Sequence, residues 1–326
     1  MMIYPWHRNT WQQLASGWQQ RPNAWLFTGR ENTGKTAFAR FTAQALLCEM
    51  PSDNHQPCGT CPSCHLFAQG SHPDFYELTP EQPEGEQTAR KLLQIKIDAV
   101  RHVLDHLYLT SVRGGLRVVL VHPAESMNIQ AANGLLKALE EPPAHVVFLL
   151  VSHSRDKLLP TIKSRCRQLV LPPPSQEAAL TFLAERGTAD AAAQLAFHSG
   201  APLFEPDAET EQLRNQLLNW LATPRLIAAL DYAAAFDKQK LPLAVFIDWL
   251  QKWLIDVGLA QQHMPPLYYP KHAAQSAATA AQTSPHRLFA LTSRLNALSP
   301  YGYHTLSVKM QAESVLADYL DFWQNK

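Results

Sequence analysis

The sequence predicts an α/β domain built on a parallel sheet, followed by a wholly helical half. Short apolar runs alternate with helical patterns over about the first 170 residues, which is typical of strands joined by crossover helices. A glycine-rich string follows the first apolar run. Beyond the prolines at 172–174 the strand signals vanish and helical patterns continue, so a domain boundary is expected there.

Strands are expected wherever a short apolar run is bounded by turn residues. The run at 117–121 (RVVLV) is rich in β-branched residues and is typical of a strand buried on both faces. The predicted strands are 24–28, 74–78, 117–121, 146–151 and 168–171. The predicted helices between them are 36–50, 98–107 and 126–140, the last of which is stopped by Pro142 and Pro143. The polar stretch 80–87 predicts a surface loop.

The second half predicts helices only. They are expected at 176–186, 189–197, 209–221, 224–236, 242–262, 285–297 and 305–324. The last of these has Val308, Ala312, Val315, Tyr319 and Trp323 on one stripe. The stretch 263–285, rich in Pro, Ala, Gln and Ser, is interpreted as a flexible loop or insertion.

Composition narrows the class of protein. Hydrophobic residues make up 46% and charged residues 17%, which is typical of a folded globular chain. A net charge of +0 argues against a stand-alone nucleic-acid binder with a wholesale basic surface. The apolar runs fall far short of the roughly 20 residues that span a bilayer, and the N-terminus lacks the features of a signal peptide. We therefore expect a cytoplasmic protein without membrane association.

Residues 29–36 (GRENTGKT) fit the phosphate-binding motif G-x-x-x-x-G-K-[ST]. Gly29 and Gly34 let backbone N–H groups approach phosphate oxygens, Lys35 supplies a positive charge, and the Thr36 hydroxyl is suited to ligate Mg²⁺. The motif predicts a site for ATP or ADP with magnesium. The alternative is a relic loop that keeps its shape but stays empty.

Hydrolysis requires more than this loop, because an aspartate on a neighbouring strand must hold Mg²⁺ and an acidic residue must orient water. The predicted strand 117–121 is followed by His122 and Pro123 instead of an Asp-Glu pair. Glu125 is the nearest carboxylate, and we expect it to have turned into the next helix. ATPase activity of this chain is therefore expected to be absent or very weak.

Four of the five cysteines are clustered. Cys48, Cys58, Cys61 and Cys64 have the spacing C-x9-C-x2-C-x2-C, and two successive C-x2-C steps can wrap thiolates around one tetrahedral ion. Four sulfur ligands would close the site, so a structural Zn²⁺ is predicted. The alternative is a group of free or redox-active thiols, and His55 and His65 are interpreted as bystanders.

Arg165 lies in the string Ser164-Arg165-Cys166, after a short predicted helix that follows Pro160. A lone arginine is usually a solvated surface charge. The planar guanidinium is also suited to stabilise charge on a phosphoryl group in a neighbour's nucleotide site. The pattern alone leaves both interpretations open.

Together these features resemble the bacterial DNA polymerase III clamp loaders, members of the AAA+ class. The resemblance rests on the loop at 29–36, the four cysteines, the string NGLLKALEEPP at 133–143 and the string SRC at 164–166. It covers the first 170 residues, whereas the helical half matches weakly, mainly through the pattern at 306–319.

The resemblance implies three domains: an AAA+ P-loop domain at 1–172 with an inserted zinc module at 48–64, a small helical lid domain at 173–207, and an all-α collar domain at 208–326. It also implies partners, namely gamma or tau and delta subunits in a ring of five. The task implied for that ring is to open the sliding clamp and load it onto primed DNA.

Within the family, His122 and Pro123 separate this chain from the ATP-hydrolysing gamma and tau subunits, which are similar in the other motifs but carry the Asp-Glu pair. The departure favours the stator subunit, and the resemblance then implies that Arg165 is a trans-acting arginine finger. Two alternatives stay open: a self-sufficient P-loop ATPase of the gamma or tau type, and a zinc-stabilised DNA-binding protein acting alone.

Overall fold

A computed structural model describes residues 3–80, 93–205, 207–303 and 307–324. These residues form two compact units. The first contains 3–80, 93–182 and 201–203, and the second contains 183–200, 204–205, 207–303 and 307–324. Beyond Pro80, the predicted surface loop at 80–87 lies outside the described residues.

The first unit contains a parallel sheet of five strands in the order β2-β3-β4-β1-β5. The strands are β1 (Ala24–Thr28), β2 (Phe75–Leu78), β3 (Arg117–Val121), β4 (Val146–Ser152) and β5 (Arg167–Val170). Every residue of β1, β3 and β4 is buried, as expected for strands covered on both faces. The predicted parallel sheet is confirmed, with each strand within one residue of its expected bounds.

Helices cover both faces of this sheet. They are α1 (Arg8–Ser16), α2 (Lys35–Leu47), α3 (Pro62–Ala68), α4 (Ile97–Leu107), α5 (Ile129–Glu140) and α6 (Pro160–Arg165). Trp11 of α1 and Phe38 of α2 pack in one core with Phe27 of β1, whereas α4 and α5 pack on the opposite face with alternate strand residues such as Val121. The sequence did not predict α1.

Helix α5 begins three residues later than the expected start at 126. Residues Ala124–Ser126 form a 3-10 turn, and the side chain of Asn128 accepts a hydrogen bond from the N–H of Ala131 at 2.8 Å. An asparagine that accepts from the first-turn amides fixes a helix start at the next residue.

The second unit is helical throughout its described residues. Helix α7 (Gln176–Glu185) spans the boundary between the units, and α8 (Ala191–Phe197), α9 (Ala208–Ala222), α10 (Leu226–Lys238), α11 (Leu243–Gln261), α12 (Ala273–Gln282), α13 (Pro285–Leu298) and α14 (Val308–Gln324) follow. In its core, Trp253 Nε1 donates to the Tyr319 hydroxyl, which donates to the Leu221 carbonyl, both at 2.9 Å. The predicted helical half is confirmed, and the three-domain division stays a prediction.

The interpretation of 263–285 as a flexible loop is wrong, because this stretch contains α12 and is tied to α11. Asp256 of α11 is completely buried, and its carboxylate accepts hydrogen bonds of 2.7–3.2 Å from three consecutive backbone N–H groups, those of Leu267, Tyr268 and Tyr269. Small residues then bury one face of α12, including Ser276. Composition alone could not reveal an anchor supplied by another helix.

Among the helices of the described residues, none is both long enough and apolar enough to cross a membrane.

Replacing Asp256 with alanine should lower the free energy of unfolding by about 3 kcal/mol, since it removes a fully buried carboxylate that accepts from three backbone amides. Chemical denaturation monitored by circular dichroism measures this loss. Asp248→Ala is the control, because Asp248 is half exposed and its ion pair with Lys252 should contribute at most about 1 kcal/mol. Equal losses in the two variants would contradict the anchoring role.

Candidate nucleotide loop, arginine site and metal centre

The loop at 29–36 joins the C-terminal end of β1 to the start of α2, as the motif requires. Gly29 has φ +153°, and a Cβ on it would lie 2.6 Å from the carbonyl oxygen of Leu171. Gly34 has φ +94°, a backbone conformation that other residues adopt only with strain. Both glycines are therefore needed for the shape of the loop.

Lys35 is the first residue of α2 and is only 2% exposed. Its ammonium donates to the carbonyl of Arg30 within the loop, and the Thr33 hydroxyl donates to the same carbonyl at 2.8 Å. Burial lowers the pKa of Lys35 to about 8, against the opposing effect of the nearby carboxylates of Glu31 and Glu125. The lysine thus remains a largely protonated cation enclosed by the loop, with Thr36 half-buried beside it.

The N-terminal segment packs on this loop, a feature that the motif did not predict. Trp6 Nε1 donates to the Thr33 carbonyl at 2.9 Å, and the Trp6 ring stacks on Tyr4 with centroids 4.9 Å apart. A Cβ on Gly34 would lie 2.4 Å from the nearest Tyr4 ring carbon. Tyr4 and Trp6, two aromatic residues shortly before α1, are the sequence feature that could have indicated this contact. Their neighbours in the sequence do not show that they pack on the loop.

His122 and Pro123, the two residues that follow β3, carry no carboxylate. His122 Nε2 lies 2.7 Å from Glu77 Oε1 on the neighbouring strand β2, and Arg40 Nη2 of α2 lies 2.8 Å from the same oxygen. Burial by itself would raise the pKa of Glu77, but the hydrogen bonds from His122 and Arg40 outweigh it and lower that pKa. The carboxylate of Glu77 is thus already neutralised by protein side chains.

Glu125 lies in the 3-10 turn before α5, so the expectation that it has entered that helix is wrong. Its Oε1 accepts from the backbone N–H groups of His153 at 2.8 Å and Ser154 at 3.1 Å, just after β4. The other carboxylate oxygen is buried, and no group among the described residues forms a hydrogen bond with it. Glu125 therefore ties the turn after β3 to the turn after β4, close enough to Lys35 to affect its pKa.

Arg165 ends α6, and its side chain is 31% exposed. One terminal nitrogen donates to the carbonyl of Thr161 at 2.9 Å, and the other forms an ion pair with Glu140, the last residue of α5. The guanidinium is thus held at the surface by groups from two helices.

The strand register separates Arg165 from the phosphate-binding loop of its own chain. In the parallel pairing of β1 with β5, Trp25 lies opposite Arg167, and the N–H of Leu171 donates to Thr28 just before Gly29. The four strand steps from 167 to 171 span about 13 Å, and Arg165 lies two residues farther from the loop. Arg165 therefore lies at the edge of the sheet where the parallel strands begin, and the loop lies at the opposite edge, where the strands end.

The four clustered cysteines converge as predicted. Cys48 follows the last residue of α2, Cys61 precedes α3, and Cys64 lies on α3. The four Sγ atoms lie within 4.8 Å of one another, with the pairs Cys48–Cys61 at 3.9 Å and Cys58–Cys64 at 4.0 Å. All four are free thiols, so the group is able to hold one metal ion.

Neither nearby histidine belongs to this cysteine group. His55 stacks on the Trp18 ring with centroids 5.0 Å apart, and the His65 side chain is exposed. Ser63 on α3 instead fixes the module, because its hydroxyl donates to the carbonyl of Leu47 at 2.6 Å and lies 2.8 Å from His72 Nε2.

Comparisons with known proteins identify similar sequences. A family model described as "DNA polymerase III, delta subunit" matches residues 6–175. A DNA polymerase III subunit delta′ of Pseudomonas aeruginosa is 38% identical over 263 residues, which cover 78% of this chain and 77% of that protein. The subunit delta′ of Escherichia coli K12 is 34% identical over 283 residues, which cover 81% of this chain and 78% of that protein.

A DNA polymerase III subunit tau of Salmonella typhimurium is also similar, at 36% identity over 149 residues. The match covers 46% of this chain and 21% of the tau protein. The similarity to tau is thus confined to less than half of this chain.

Replacing Gly34 with alanine should destabilise the first unit by about 2 kcal/mol, because the new Cβ meets the Tyr4 ring and the backbone is strained at positive φ. Thermal unfolding measures the effect. In a Tyr4→Ala background the same substitution should cost less, since the contact with the Tyr4 ring is gone and the backbone strain and a 3.3 Å approach to Leu203 remain. An equal cost in both backgrounds would show that Tyr4 does not pack on the loop.

Proposed function

The chain belongs to the DNA polymerase III delta′ subunits of the clamp loader, and we propose that it acts there as a non-hydrolysing stator that supplies Arg165 to a neighbouring ATP site. The observation that carries this proposal is the position of Arg165 at the sheet edge opposite to its own loop. An arginine placed there is out of reach of a nucleotide in the same chain.

The end of β3 supports the non-hydrolysing role. Magnesium in a P-loop site is oriented by a strand-end aspartate, and His122 stands near that position with its ring bound to Glu77. Pro123 has no group that could polarise water. Glu125, in the turn after β3, has one oxygen engaged by two backbone amides, and its other oxygen is buried.

The chemistry of arginine supports the trans role. A planar fork of N–H donors stabilises charge that develops on the equatorial oxygens of a transferring phosphoryl group. Arg165 is partly exposed at a helix end, which leaves its guanidinium accessible to an adjacent subunit. The proposed partners are a gamma or tau subunit, whose ATP it would serve, and a delta subunit in a ring of five. That ring would load the sliding clamp onto primed DNA.

The loop at 29–36 retains the groups that hold phosphates, namely Gly29 and Gly34, whose positive φ values suit glycine, and Lys35. ATP or ADP would lie against the backbone amides there, with Thr36 as the one magnesium ligand that the motif provides. We propose that nucleotide bound at this loop acts as a structural ligand only.

The cysteine geometry supports zinc as the metal of the module. Zinc–sulfur bonds of about 2.3 Å in a tetrahedral site place the sulfurs about 3.8 Å apart, close to the separations of Cys48 from Cys61 and of Cys58 from Cys64. With four thiolate ligands no position is left for water or substrate. The proposed ion therefore stabilises the segment between α2 and α3 and takes no part in ATP chemistry.

Replacing Arg165 with alanine should lower hydrolysis at the adjacent ATP site at least about 100-fold, because the finger acts on charge in the transition state. The measurement is steady-state ATPase of the reconstituted clamp loader with clamp and primed DNA. Arg165→Lys should restore little, since an ammonium lacks the planar fork.

The matched control for this measurement is Lys35→Ala, which should leave the ATPase rate of the complex nearly unchanged. A normal rate in the Arg165→Ala complex would end the trans-finger proposal. Loss of ATPase in the Lys35→Ala complex would instead indicate that the nucleotide site of this chain contributes to turnover.

The purified chain should contain about one Zn²⁺, and chelation should lower its thermal unfolding temperature because metal binding is coupled to folding. Metal analysis should find little zinc in Cys64→Ser. Cys166→Ala is the control, since this fifth cysteine is buried in the core of the first unit and should not affect metal content. Zinc retained by Cys64→Ser would contradict the ligand assignment.

A further inference from the structure

Arg165 and Glu140 form an ion pair between the C-terminal ends of two packed helices. Leu139 of α5 and Ile162 of α6 are buried in the same apolar core, which fixes the two helix ends relative to each other. The carboxylate of Glu140 therefore stands on a rigid element beside the guanidinium, while Thr161 of α6 accepts from its other terminal nitrogen.

Stability alone does not explain Glu140 at this position. The C-terminus of a helix carries partial negative charge, so an acidic residue in the last turn is unfavourable there. An ion pair whose side chains are 31% and 47% exposed also contributes little to folding. The ion pair does restrict the orientation of the guanidinium, because an arginine side chain without it would sample many rotamers.

We infer that Glu140 is a positioning residue for Arg165, one that holds the guanidinium in the orientation in which it meets phosphate on a neighbouring subunit. This inference rests on the proposed function. A guanidinium has five N–H donors; Thr161 and Ser164 accept from one terminal nitrogen, Glu140 accepts from the other, and Nε is buried. The second hydrogen of the nitrogen that Glu140 engages is left for a phosphoryl group.

The test uses Glu140→Ala, Glu140→Gln and the neighbouring control Glu141→Ala in the reconstituted clamp loader. Glu141 is exposed, and within the described part of the chain it forms no ion pair with Arg165. The ATPase rate lost in Arg165→Ala measures how much of the activity of the complex comes from the adjacent site that Arg165 serves. Glu140→Ala should lower kcat at that site about 3- to 10-fold with KM for ATP nearly unchanged, because misorientation affects the transition state.

Glu140→Gln should recover much of this loss, since an amide oxygen still accepts from the guanidinium, and Glu141→Ala should match the wild type. Adding Glu140→Ala to Arg165→Ala should cause no further loss. If Arg165→Ala lowers the rate but Glu140→Ala matches Glu141→Ala, the positioning inference is overturned and the stator proposal stands. A further loss in the double variant also overturns it. A normal rate in Arg165→Ala removes the trans-finger proposal on which the inference rests.

Discussion

Parallel pairing of β1 with both β4 and β5 is the constraint on which the phosphate-binding loop and the position of Arg165 depend. Parallel strands end at the same edge, so the turns after β1, β3 and β4 meet there. This edge brings Lys35 near Glu125 and places His122 at the end of the adjacent strands. The crossover helices return the chain to the other edge, and α6 ends there with Arg165. One sheet thus separates a phosphate cradle from an arginine of the same chain.

In the phosphate-binding loop and its surroundings, the residues that form the loop differ from the residues that ATP hydrolysis would need. Gly29 and Gly34 preserve the shape, because positive φ and close backbone approach leave no room for a side chain. Hydrolysis needs a carboxylate at the end of β3, where this chain has His122 and Pro123, and the carboxylate of Glu77 on the neighbouring strand β2 is paired with His122 and Arg40. Binding and cleavage therefore depend on different residues of the same edge. One can be retained when the other is lost.

Sequence patterns predicted the features that depend on neighbouring residues, such as the strands and the cysteine cluster. The features that were missed depend on contacts between residues far apart in the sequence. The strands were placed within one residue, because continuous apolar runs bounded by turns have few alternatives. The cysteine cluster followed from spacing. Helix α12 was missed because its order depends on Asp256, a residue of another helix that caps the preceding turn. The pairing of Arg165 with Glu140 was also missed, since the two lie 25 residues apart and meet only when α5 packs on α6.

We propose that this chain keeps a phosphate-binding loop without hydrolysing ATP and instead contributes Arg165 to the ATP site of a neighbouring subunit. The most direct test of this proposal is to follow release of phosphate from ATP by the purified chain alone and after addition of a partner ATPase subunit. The account predicts no magnesium-dependent hydrolysis by the chain alone, and hydrolysis after mixing that disappears when Arg165 is replaced by alanine. Turnover by the isolated chain that is lost in Lys35→Ala would contradict the account.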